Sequence, residues 1–570
     1  MIRKLVAIAA ASLAAACTTT PTEQTRPSPV TRAPPIEIQI LAINDFHGNL
    51  EPSQSLITFQ GTNGQSVSDF LGGAAVMGAE LAKFRANRLS ITVAAGDLIG
   101  ASPLASAYFL DEPTIDAMNL MGLELASVGN HEFDKGSSEL LRMQNGGCEK
   151  FTTRVPCRLE PFEGAKFRYL GANVLKENGS TLFPPTAVRD FGPIRIGFIG
   201  MTLKDTGIFV TPAGVAGLHF ADEAETANAL VSQLKGQGAD AIVLLIHQGG
   251  KTPETYKAGD CDGLSGDILP ILDRLDPAIT TIVSGHTHNA YACELDRGGT
   301  KRLLTSAGKY GYFVTDLRLT FDPGTHALVS QRAQNAPMTS EMPAGGPIAA
   351  LVKRYADASA PAAARVVGNL RGEAPKDGGD GESPAANLIA DSQLAATKAK
   401  NHGGADIAFM NTTGVRVGIT PAADGSVTYG QIFAVQPFGN NLVVKTLTGA
   451  QLKALLEQQF RVEDGVAKVK SLLVPSDPFR FSYDLTKPEG QRIVSMTLDH
   501  HPIDPTKRYR LTANNFLASG GDGFSVLTQG TETFDAGLDL DALEAWLATN
   551  PPSPAVGRTV KVADPIVMGH

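Results

Sequence analysis

The sequence predicts an α/β protein of two domains, and three observations support this. Short β-branched or apolar runs alternate with helical stretches over the first three hundred residues, and several runs end in clusters of His and Asp. An Ala- and Pro-rich stretch lies between residues 336 and 370, in which we expect a helix over 348–358 and a linker at 360–364, and a second α/β unit follows to about residue 565. The length of 570 residues allows two to four domains, because single hydrophobic cores stop growing near about 300 residues.

The composition favours a folded chain and argues against some functions. Hydrophobic residues make up 43% and charged residues 19% of the sequence, which argues against disorder and coiled coil. The net charge of −9 argues against a basic nucleic-acid-binding face. An anionic small-molecule substrate remains compatible with this charge, because bound metal ions add positive charge that no residue count records.

The first 35 residues are predicted to be an export signal followed by a tether. After a short basic start, residues 5–16 form an apolar run that is too short to span a bilayer and ends at Cys17. Three small residues before Cys17 resemble a bacterial lipoprotein processing site, although Leu13 stands one place early; the alternative is cleavage with an unmodified Cys. We expect a signal peptide over 1–17, a Thr- and Pro-rich tether over 18–35, and a periplasmic or outer-membrane-tethered bacterial lipoprotein.

Export changes the interpretation of the other four cysteines. In an oxidising compartment an even number of Cys suggests disulfides, and four Cys allow three pairings. We expect Cys148–Cys157 and Cys261–Cys293, because each pair brackets a loop-like stretch. No CxxC spacing is present, so a Cys-based zinc site is not predicted.

Polar clusters follow five of the predicted strands. These strands cover residues 36–43, 91–95, 123–128, 241–246 and 280–283, with predicted helices at 73–87 and 221–235. Sites in α/β sheets assemble at the carboxyl ends of strands. The pattern therefore predicts one site built from five separated loops.

The residues in these loops are of metal-binding types. Five of the eleven His lie in them, and the candidate ligands are Asp45, His47, Asp97, Asn130, His247, His286 and His288. Mixed imidazole and carboxylate ligands suit Zn, Mn or Fe better than Ca or Mg. Two ions about 3.5–4 Å apart need a shared ligand, for which the Asp97 carboxylate is the candidate. Each residue alone is more often an ordinary core, surface or turn residue.

The order of the motifs resembles the calcineurin-type metallophosphoesterases, and more narrowly the secreted bacterial 5′-nucleotidase and UDP-sugar hydrolase family. The motifs are DFHG (45–48), GD (96–97), GNHEFD (129–134), HQGG (247–250) and GHTH (285–288). The resemblance implies a four-layer metallophosphoesterase β-sandwich flanked by helices over residues 36–335.

The resemblance also implies a two-metal centre of Zn or Mn. One ion would be held by Asp45, His47, Asp97 and His288, and the other by Asp97, Asn130, His247 and His286. A metal-bridging hydroxide would attack phosphorus.

Two residues of the GNHEFD motif are candidates for catalysis. The resemblance assigns His131 to stabilising developing charge or protonating the leaving oxygen, and Asp134 to holding the imidazole. Alternatively, Asp134 caps the helix that follows.

The second half resembles the family's C-terminal 5′-nucleotidase domain over residues 366–565, after a linker and hinge helix at 336–365. Its motifs lie at residues 382–391, 411–416, 437–440 and 515–524. The resemblance implies that Phe438 and Phe516 sandwich a nucleobase, that Asp522 binds ribose, and that Asn411 and Arg416 bind phosphate or ribose. The alternative for the two Phe is a place in the core.

Two features depart from the family pattern. Thr412 and Thr413 stand where the family has Gly, and their Cβ atoms crowd a close backbone approach. The Arg residues that family members often carry before the 382–391 motif are absent, and residues 376–381 are more acidic. This stretch leaves open less charged substrates, such as cyclic nucleotides or a sugar ester.

We therefore expect an exported, metal-dependent phosphoesterase of the 5′-nucleotidase type that hydrolyses extracellular nucleotides. The enzyme alternatives are a 2′,3′-cyclic nucleotide phosphodiesterase with 3′-nucleotidase activity and a UDP-sugar or dinucleotide pyrophosphatase. The non-enzyme alternative is a surface-tethered binding protein with a residual metal site. We also expect a nucleotide substrate and no nucleic-acid partner. Contact with the membrane is expected only through a lipid at Cys17.

Overall fold

The structure is a computed structural model that describes residues 33–562, except 62–63, 153, 254–255, 257–260, 262, 379–380, 464 and 550. The predicted signal peptide, the lipidation site at Cys17 and nearly all of the tether lie outside the described residues. Within the described part, every helix is too short or too polar to cross a membrane.

In the first part of the chain, the described residues form sixteen strands and eight α-helices. The strands are β1 (Ile36–Ile43), β2 (Ile57–Gln60), β3 (Ser66–Asp69), β4 (Ser90–Ala95), β5 (Leu125–Ser127), β6 (Arg168–Leu170), β7 (Val174–Lys176), β8 (Thr186–Phe191), β9 (Ile194–Thr202), β10 (Leu218–Phe220), β11 (Ala241–His247), β12 (Ile279–Ser284), β13 (Ala290–Arg297), β14 (Thr300–Ala307), β15 (Phe313–Phe321) and β16 (Leu328–Pro337). The helices are α1 (Ala74–Arg85), α2 (Leu104–Ala107), α3 (Glu112–Met121), α4 (Ser137–Asn145), α5 (Thr206–Phe209), α6 (Glu223–Gly236), α7 (Ile268–Arg274) and α8 (Gly346–Ala363).

Two six-stranded sheets form the centre of this part. Their strand orders are β16-β15-β1-β4-β5-β6 and β13-β14-β12-β11-β9-β8. Apolar side chains from both sheets, such as Ile40, Val93, Phe198 and Val243, pack together in the core between them. Their neighbours in the chain point to the opposite face, as the period of two in a strand requires.

Helices cover the outer face of each sheet. Leu81 of α1, Ile115 of α3 and Leu351 of α8 pack in one outer core, and Val231 of α6 and Ile271 of α7 pack in the other. The result is a helix–sheet–sheet–helix arrangement, which confirms the predicted four-layer α/β fold. Because β1, β4 and β5 are parallel, and β11 and β12 are parallel, the loops after each set emerge at one edge of its sheet.

Helix α8 corrects the predicted linker. The sequence analysis expected a helix only over 348–358 and a linker at 360–364, whereas the helix runs over Gly346–Ala363 with Pro361 inside it. Proline removes one backbone hydrogen bond, but the alanines around it have the highest helix propensity. Helix α8 packs against α3 in the first part and against the later helix Tyr429–Val435, so it connects the two parts as a packed element.

The second part of the described chain is also α/β. Its strands are β17 (Val366–Asn369), β18 (Ile407–Asn411), β19 (Ser426–Thr428), β20 (Asn441–Thr448), β21 (Phe460–Glu463), β22 (Val466–Val469), β23 (Leu473–Pro475), β24 (Phe479–Tyr483), β25 (Ile493–Leu498), β26 (His501–Pro502), β27 (Arg508–Asn514), β28 (Thr531–Leu538) and β29 (Thr559–Lys561). Its α-helices are α9 (Pro384–Thr397), α10 (Tyr429–Val435), α11 (Gly449–Glu457), α12 (Asn515–Ala518) and α13 (Asp539–Thr549).

A five-stranded sheet, β23-β18-β27-β20-β28, carries the core of this second part. Ile389 of α9, Phe409 of β18, Leu452 of α11 and Leu511 of β27 pack in one apolar cluster. Helix α9 begins at Ser383, whose hydroxyl accepts a hydrogen bond of 3.1 Å from the N–H of Ala386. The predicted second α/β unit is confirmed.

One of the two predicted disulfides forms among the described residues. Cys148 and Cys157 are joined, with their Cα atoms 5.6 Å apart. The predicted Cys261–Cys293 disulfide is wrong in this structure. Cys293 is buried and Cys261 packs against the same apolar cluster outside the second sheet, where both act as small hydrophobic side chains.

Candidate metal centre

The seven predicted ligands lie at the strand ends where the two sheets meet. Asp45 and His47 follow β1, Asp97 follows β4, and Asn130 follows β5. His247 ends β11 in the other sheet, and the two His of the GHTH motif follow β12. The structure brings all five loops together, although they are separated by up to about 240 residues in the chain.

The ligand-type side chains form two groups. Asp45, His47 and His288 form one, and Asp97, His247 and His286 form the other; within each, the donor atoms lie within 4.8 Å of one another. Asp97 Oδ2 is 3.0 Å from His247 Nε2 and 3.6 Å from His47 Nε2, so this carboxylate faces both groups.

Asn130 completes the second group. Its Oδ1 atom lies 3.1 Å from His286 Nδ1. The arrangement offers two candidate metal sites with Asp97 between them.

The donor atoms of these groups fit metal ions. His247 Nε2 is buried and faces the Asp97 carboxylate at 3.0 Å, without the alignment of a hydrogen bond. His47 Nε2 and His288 Nε2 face each other at 3.1 Å. The Nδ1 atoms of His47 and His247 instead contact the carbonyls of Gly100 and Ala95 at 2.9 and 2.8 Å, which leaves each Nε2 lone pair directed into the centre. Buried imidazole nitrogens in this state are suited to a divalent ion.

Burial keeps three of the imidazoles neutral. It lowers the pKa of His47 well below the ordinary value, lowers that of His288, and lowers that of His286 to about 3. Neutral imidazole is the form that binds metals. Burial would also lower the pKa of His247, but the Asp97 carboxylate raises it to about 10, so an ion would compete with a proton there.

The backbone of the centre is strained. Positive φ angles occur at Asp45 (49°), His47 (47°), Asp97 (51°), His286 (72°) and His288 (61°). Such left-handed conformations are uncommon for residues with a Cβ and cost on the order of 1 kcal/mol each. Because five such residues lie in one site, we infer that these loop conformations are kept in order to hold the ligand-type side chains in position.

Glu132 is a residue of the site that the sequence analysis did not assign. Its carboxylate accepts hydrogen bonds from the backbone N–H groups of Asp97 (2.8 Å), Leu98 (2.8 Å) and Gly129 (2.6 Å). Burial and the Asp97 charge raise the pKa of Glu132 to about 7. These contacts join the loops that carry Asp97 and Asn130. The position of Glu132 inside the GNHEFD motif was the sequence feature that could have identified it.

His131 lies beside the two groups and contacts Asp134. His131 Nδ1 is 2.8 Å from Asp134 Oδ2, and the His131 N–H donates to Asp97 Oδ1 at 2.9 Å. Burial would lower the pKa of His131, but the Asp134 and Asp97 carboxylates raise it. Helix α4 starts after Gly136 with no side-chain cap, so the alternative in which Asp134 caps this helix is wrong.

Two predicted substrate residues from the second part of the chain contact His131. Arg416 Nη2 lies 2.8 Å from His131 Nε2. The Phe438 ring lies 6.1 Å from the imidazole at an interplanar angle of 20°, and the Arg416 guanidinium lies 5.2 Å from the centre of the Phe438 ring. Through these contacts with His131, the second α/β part of the chain reaches the two groups of ligand-type side chains.

The other predicted substrate residues form a separate cluster. Asn411 Nδ2 donates to Asp522 Oδ2 at 2.7 Å, and the Thr413 hydroxyl donates to the same oxygen. The Phe516 ring lies so close to Gly521 that a Cβ there would be 2.5 Å from it. One of the Thr residues that departs from the family pattern therefore holds Asp522.

This cluster also reaches the centre. The turn that contains Asp522 packs against α5. Phe209 of α5 has its ring 5.4 Å from that of His286, and the sequence analysis missed this residue. Phe438 thus contacts His131, and Phe516 packs beside the turn that contains Asp522.

The comparisons with known proteins agree with this geometry. The family model for the 5′-nucleotidase C-terminal domain matches residues 363–529. The crystal structure of a 5′-nucleotidase precursor from Thermus thermophilus is 26% identical, with a TM-score of 0.72, over 93% of this chain and 100% of that one. Residues 363–529 therefore belong to the 5′-nucleotidase C-terminal domain family, and the whole chain is similar to a 5′-nucleotidase precursor of known structure.

Curated relatives of the chain include longer proteins. "Endonuclease YhcR" of Bacillus subtilis is 28% identical over 85% of this chain and 37% of its own length. "Cell wall protein Lmo0130" of Listeria monocytogenes is 30% identical over 86% of this chain and 64% of its own length. The chain thus spans about one third to two thirds of the length of these two relatives.

Two lysines, Lys309 and Lys376, were not assigned a role from the sequence. Lys309 Nζ lies 4.5 Å from the centre of the Tyr310 ring, and that ring is 5.8 Å from the His288 ring. Lys376 belongs to the stretch that lacks the family's Arg residues, and Arg416 and Lys309 are among the charges that act on it. The stretch 376–381 therefore contains one cation among its acidic residues.

Proposed function

We propose that the protein is an exported, metal-dependent phosphoesterase that hydrolyses nucleotides of the 5′-nucleotidase type. One observation carries this proposal. Asp97 faces both ligand-type groups, and the contacting pair His131 and Arg416 lies beside them. In a two-metal mechanism, phosphoryl transfer to water needs two metal ions and nearby groups that stabilise the negative charge of the transition state.

The centre would hold two divalent ions, of which Zn and Mn are the candidates. Asp45, His47, Asp97 and His288 would bind one ion, and Asp97, Asn130, His247 and His286 the other. When bound, the ions would polarise the phosphoryl oxygens and lower the pKa of the water that attacks phosphorus.

His131 and Arg416 would act on the substrate directly. Their 2.8 Å contact occupies the position where a phosphoryl group would enter, and the phosphate would replace it. The Arg416 fork would then bind two phosphoryl oxygens. His131 Nε2 would stabilise the charge that develops or give a proton to the leaving oxygen, while Asp134 holds the ring through Nδ1.

Recognition of the nucleoside is proposed for the second domain, residues 366–565. Phe438 and Phe516 would stack on the base, which is tolerant of base identity because every base has a π-face. Asp522 and Asn411 are buried next to each other; Asp522 would accept a hydrogen bond from a ribose hydroxyl, and Asn411 would contact phosphate or ribose. Helix α8 would act as the hinge element between the domains.

Export and a lipid anchor at Cys17 belong to the same proposal. They are supported by the apolar run before Cys17 and by a relative named a cell wall protein. A change in mass at Cys17 and sensitivity of processing to globomycin would follow from lipidation; an unmodified Cys17 in the mature protein would contradict it.

A substrate panel tests the activity. AMP, ATP, 2′,3′-cyclic AMP, UDP-glucose and bis-p-nitrophenyl phosphate would be assayed with and without Mn or Zn, with an oligonucleotide as a negative control. We expect metal-dependent release of phosphate from AMP. Turnover of the generic ester without AMP hydrolysis would exclude a 5′-nucleotidase, and turnover of no compound would favour a binding protein. Turnover mainly of cyclic AMP or UDP-glucose would favour the two enzyme alternatives.

A further inference from the structure

A cavity of about 640 Å³ lies between the two parts of the chain. Helix α10 of the second part contributes one residue to its lining, and the first part contributes the others. The lining residues are Tyr108, Arg154, Val155, Cys157, Arg158 and Tyr429. Sites for small molecules in proteins have volumes of about 300–1,000 Å³, so the cavity is large enough to hold a ligand.

The cavity is separate from the candidate metal centre. Helix α10 begins at Tyr429 and ends at Val435, so these two residues are about 9 Å apart along its axis. The carbonyl of Val435 accepts a hydrogen bond of 2.8 Å from the N–H of Arg416, whose side chain contacts His131. The cavity is at the other end of this helix, and none of its lining residues is a predicted ligand or substrate residue. A ligand bound there would lie outside the proposed reaction site.

Aromatic rings hold the two arginines that line the cavity. The Arg158 guanidinium lies 4.0 Å from the centre of the Tyr108 ring, and its Nη2 donates to the Tyr108 hydroxyl at 3.1 Å. The Arg154 guanidinium lies 5.4 Å from the centre of the Phe433 ring, and its Nη1 donates to the carbonyl of Ala107 at 2.6 Å. Because α2 ends at Ala107, both guanidinium groups are fixed near the same end of this helix.

The disulfide holds the loop that carries Arg154. It joins Cys148 and Cys157, which are nine residues apart in the chain. The N–H of Cys157 donates to the two carboxylate oxygens of Glu112, on α3, at 2.9 and 3.2 Å. A covalent bond and these hydrogen bonds therefore fix the base of the loop beside the cavity.

Neither of the two lining arginines forms an ion pair within the described part of the chain. The carboxylates next to them have other partners, since Glu112 is 2.8 Å from Arg142 Nη1 and Glu160 is 3.0 Å from Arg354 Nη1. A guanidinium has five N–H donors, and each of these two uses one of them on a described protein acceptor. The remaining donors and both positive charges are available to an anion.

We infer that this cavity binds the phosphate group of a small anionic ligand. One guanidinium fork already satisfies the two oxygens of a carboxylate, whereas a tetrahedral phosphate has enough oxygens and charge for two forks. Tyr429 adds a hydroxyl and an aromatic ring from the second part of the chain. A ligand that contacts the arginines and Tyr429 would join the two parts. Inorganic phosphate and a nucleotide are the two sources of this chemistry.

Arginine footprinting tests the site at the residues themselves. The Mn-loaded protein is treated with phenylglyoxal, and peptide mass spectrometry measures how fast each arginine is modified. We expect phosphate to slow the modification of Arg154 and Arg158 severalfold. Arg332, which is exposed and ion-paired with Glu37, is the control and should react at the same rate with and without phosphate. Unchanged rates at Arg154 and Arg158, or equal slowing at Arg332, would overturn the inference.

The phosphate concentration that gives half of the protection measures the affinity of the site. In Arg154→Gln we expect half-protection of Arg158 to need about tenfold more phosphate, the usual loss for one hydrogen bond to a charged group. Arg158→Gln should have the same effect on Arg154, and Arg332→Gln should have none. Thermal melting shows which variants are folded, and Arg158→Gln is the second test should Arg154→Gln not fold. Unchanged half-protection in the folded variants would contradict a shared site.

Further probes identify the source of the phosphate and separate the cavity from the reaction site. Tighter protection by α,β-methylene-ADP than by inorganic phosphate would assign the site to a nucleotide, and equal protection would assign it to the phosphate group alone. Protection by adenosine or acetate as strong as that by phosphate would exclude phosphate recognition. Protection should persist in Arg416→Gln, whose substitution alters only the proposed reaction site; its loss there would overturn the inference. None of these measurements depends on turnover, so a failure of the proposed activity leaves their outcome unchanged.

Discussion

The Glu132 carboxylate accepts a hydrogen bond of 2.8 Å from the backbone N–H of Asp97. It also accepts one from Gly129, next to Asn130, so a single side chain positions two of the loops that would hold the ions. We predict that Glu132→Gln lowers Mn affinity about 10- to 100-fold, because the amide NH₂ faces backbone donors in place of an acceptor. Isothermal titration with Mn measures the change.

Glu139→Gln is the control for this prediction. Glu139 is also a buried acid of the first domain, but it pairs with Arg142 at 2.6 Å instead of with the metal-type loops. We expect it to lower thermal stability without changing Mn affinity. Equal losses of affinity in the two variants would show that Glu132 acts only through general stability.

The 2.8 Å contact between His131 and Asp134 predicts that the two residues act as a unit. His131→Asn should lower kcat for AMP about 100-fold or more, and Asp134→Asn should lower it less, because Asp134 would act through the ring. The double variant should be no slower than His131→Asn. Additive losses in steady-state kinetics would instead mean that Asp134 has an independent role.

Phe516 is predicted to bind the base. Phe516→Ala should raise KM for AMP about tenfold, since stacking on one aromatic ring contributes about 1–3 kcal/mol. KM for ribose 5-phosphate, which has no base, should change little. Phe534→Ala, at a Phe that is 37% exposed on strand β28, is the control. The stacking role is wrong if both substrates lose equally.

Asp539 is predicted to make stability depend on pH. Asp539 is buried, and its Oδ1 atom has no hydrogen-bond partner in the described structure. Burial raises its pKa to about 8, whereas an unfolded Asp has a pKa of about 3.9. The folded state therefore keeps a proton that the unfolded state loses, so this group's contribution to stability is complete below about pH 4 and is lost as pH rises towards 8.

We expect Asp539→Asn to be about 2 kcal/mol more stable than the wild type at pH 8 and to differ little from it near pH 4. Trp546 is the only Trp and lies in the same helix, α13, so its fluorescence during urea unfolding reports on this region. Asp499→Asn, at an exposed position elsewhere in the second part of the chain, is the control. A constant difference between Asp539→Asn and the wild type across this pH range would contradict the assignment.

The strands and the candidate ligands could be predicted from the sequence, because each depends on a pattern of neighbouring residues. Alternation and β-branched runs predicted β1, β4, β5, β11 and β12, and each polar cluster follows its strand directly. Helix α8 was predicted too short, because Pro361 is a local signal for a break that the surrounding alanines and packing override. The wrong Cys261–Cys293 disulfide rested on a loop-like spacing, which carries no distance between side chains.

The sequence by itself determined the α/β class, the order of the motifs and the seven ligand-type residues, because these follow from residue type and period. Only the tertiary structure decided that Glu132 joins two loops and that Arg416 and Phe438 contact His131. These relationships join segments that are far apart in the chain or depend on the folded loops. The way the two sheets and the second domain pack sets their distances, and no local pattern contains that information.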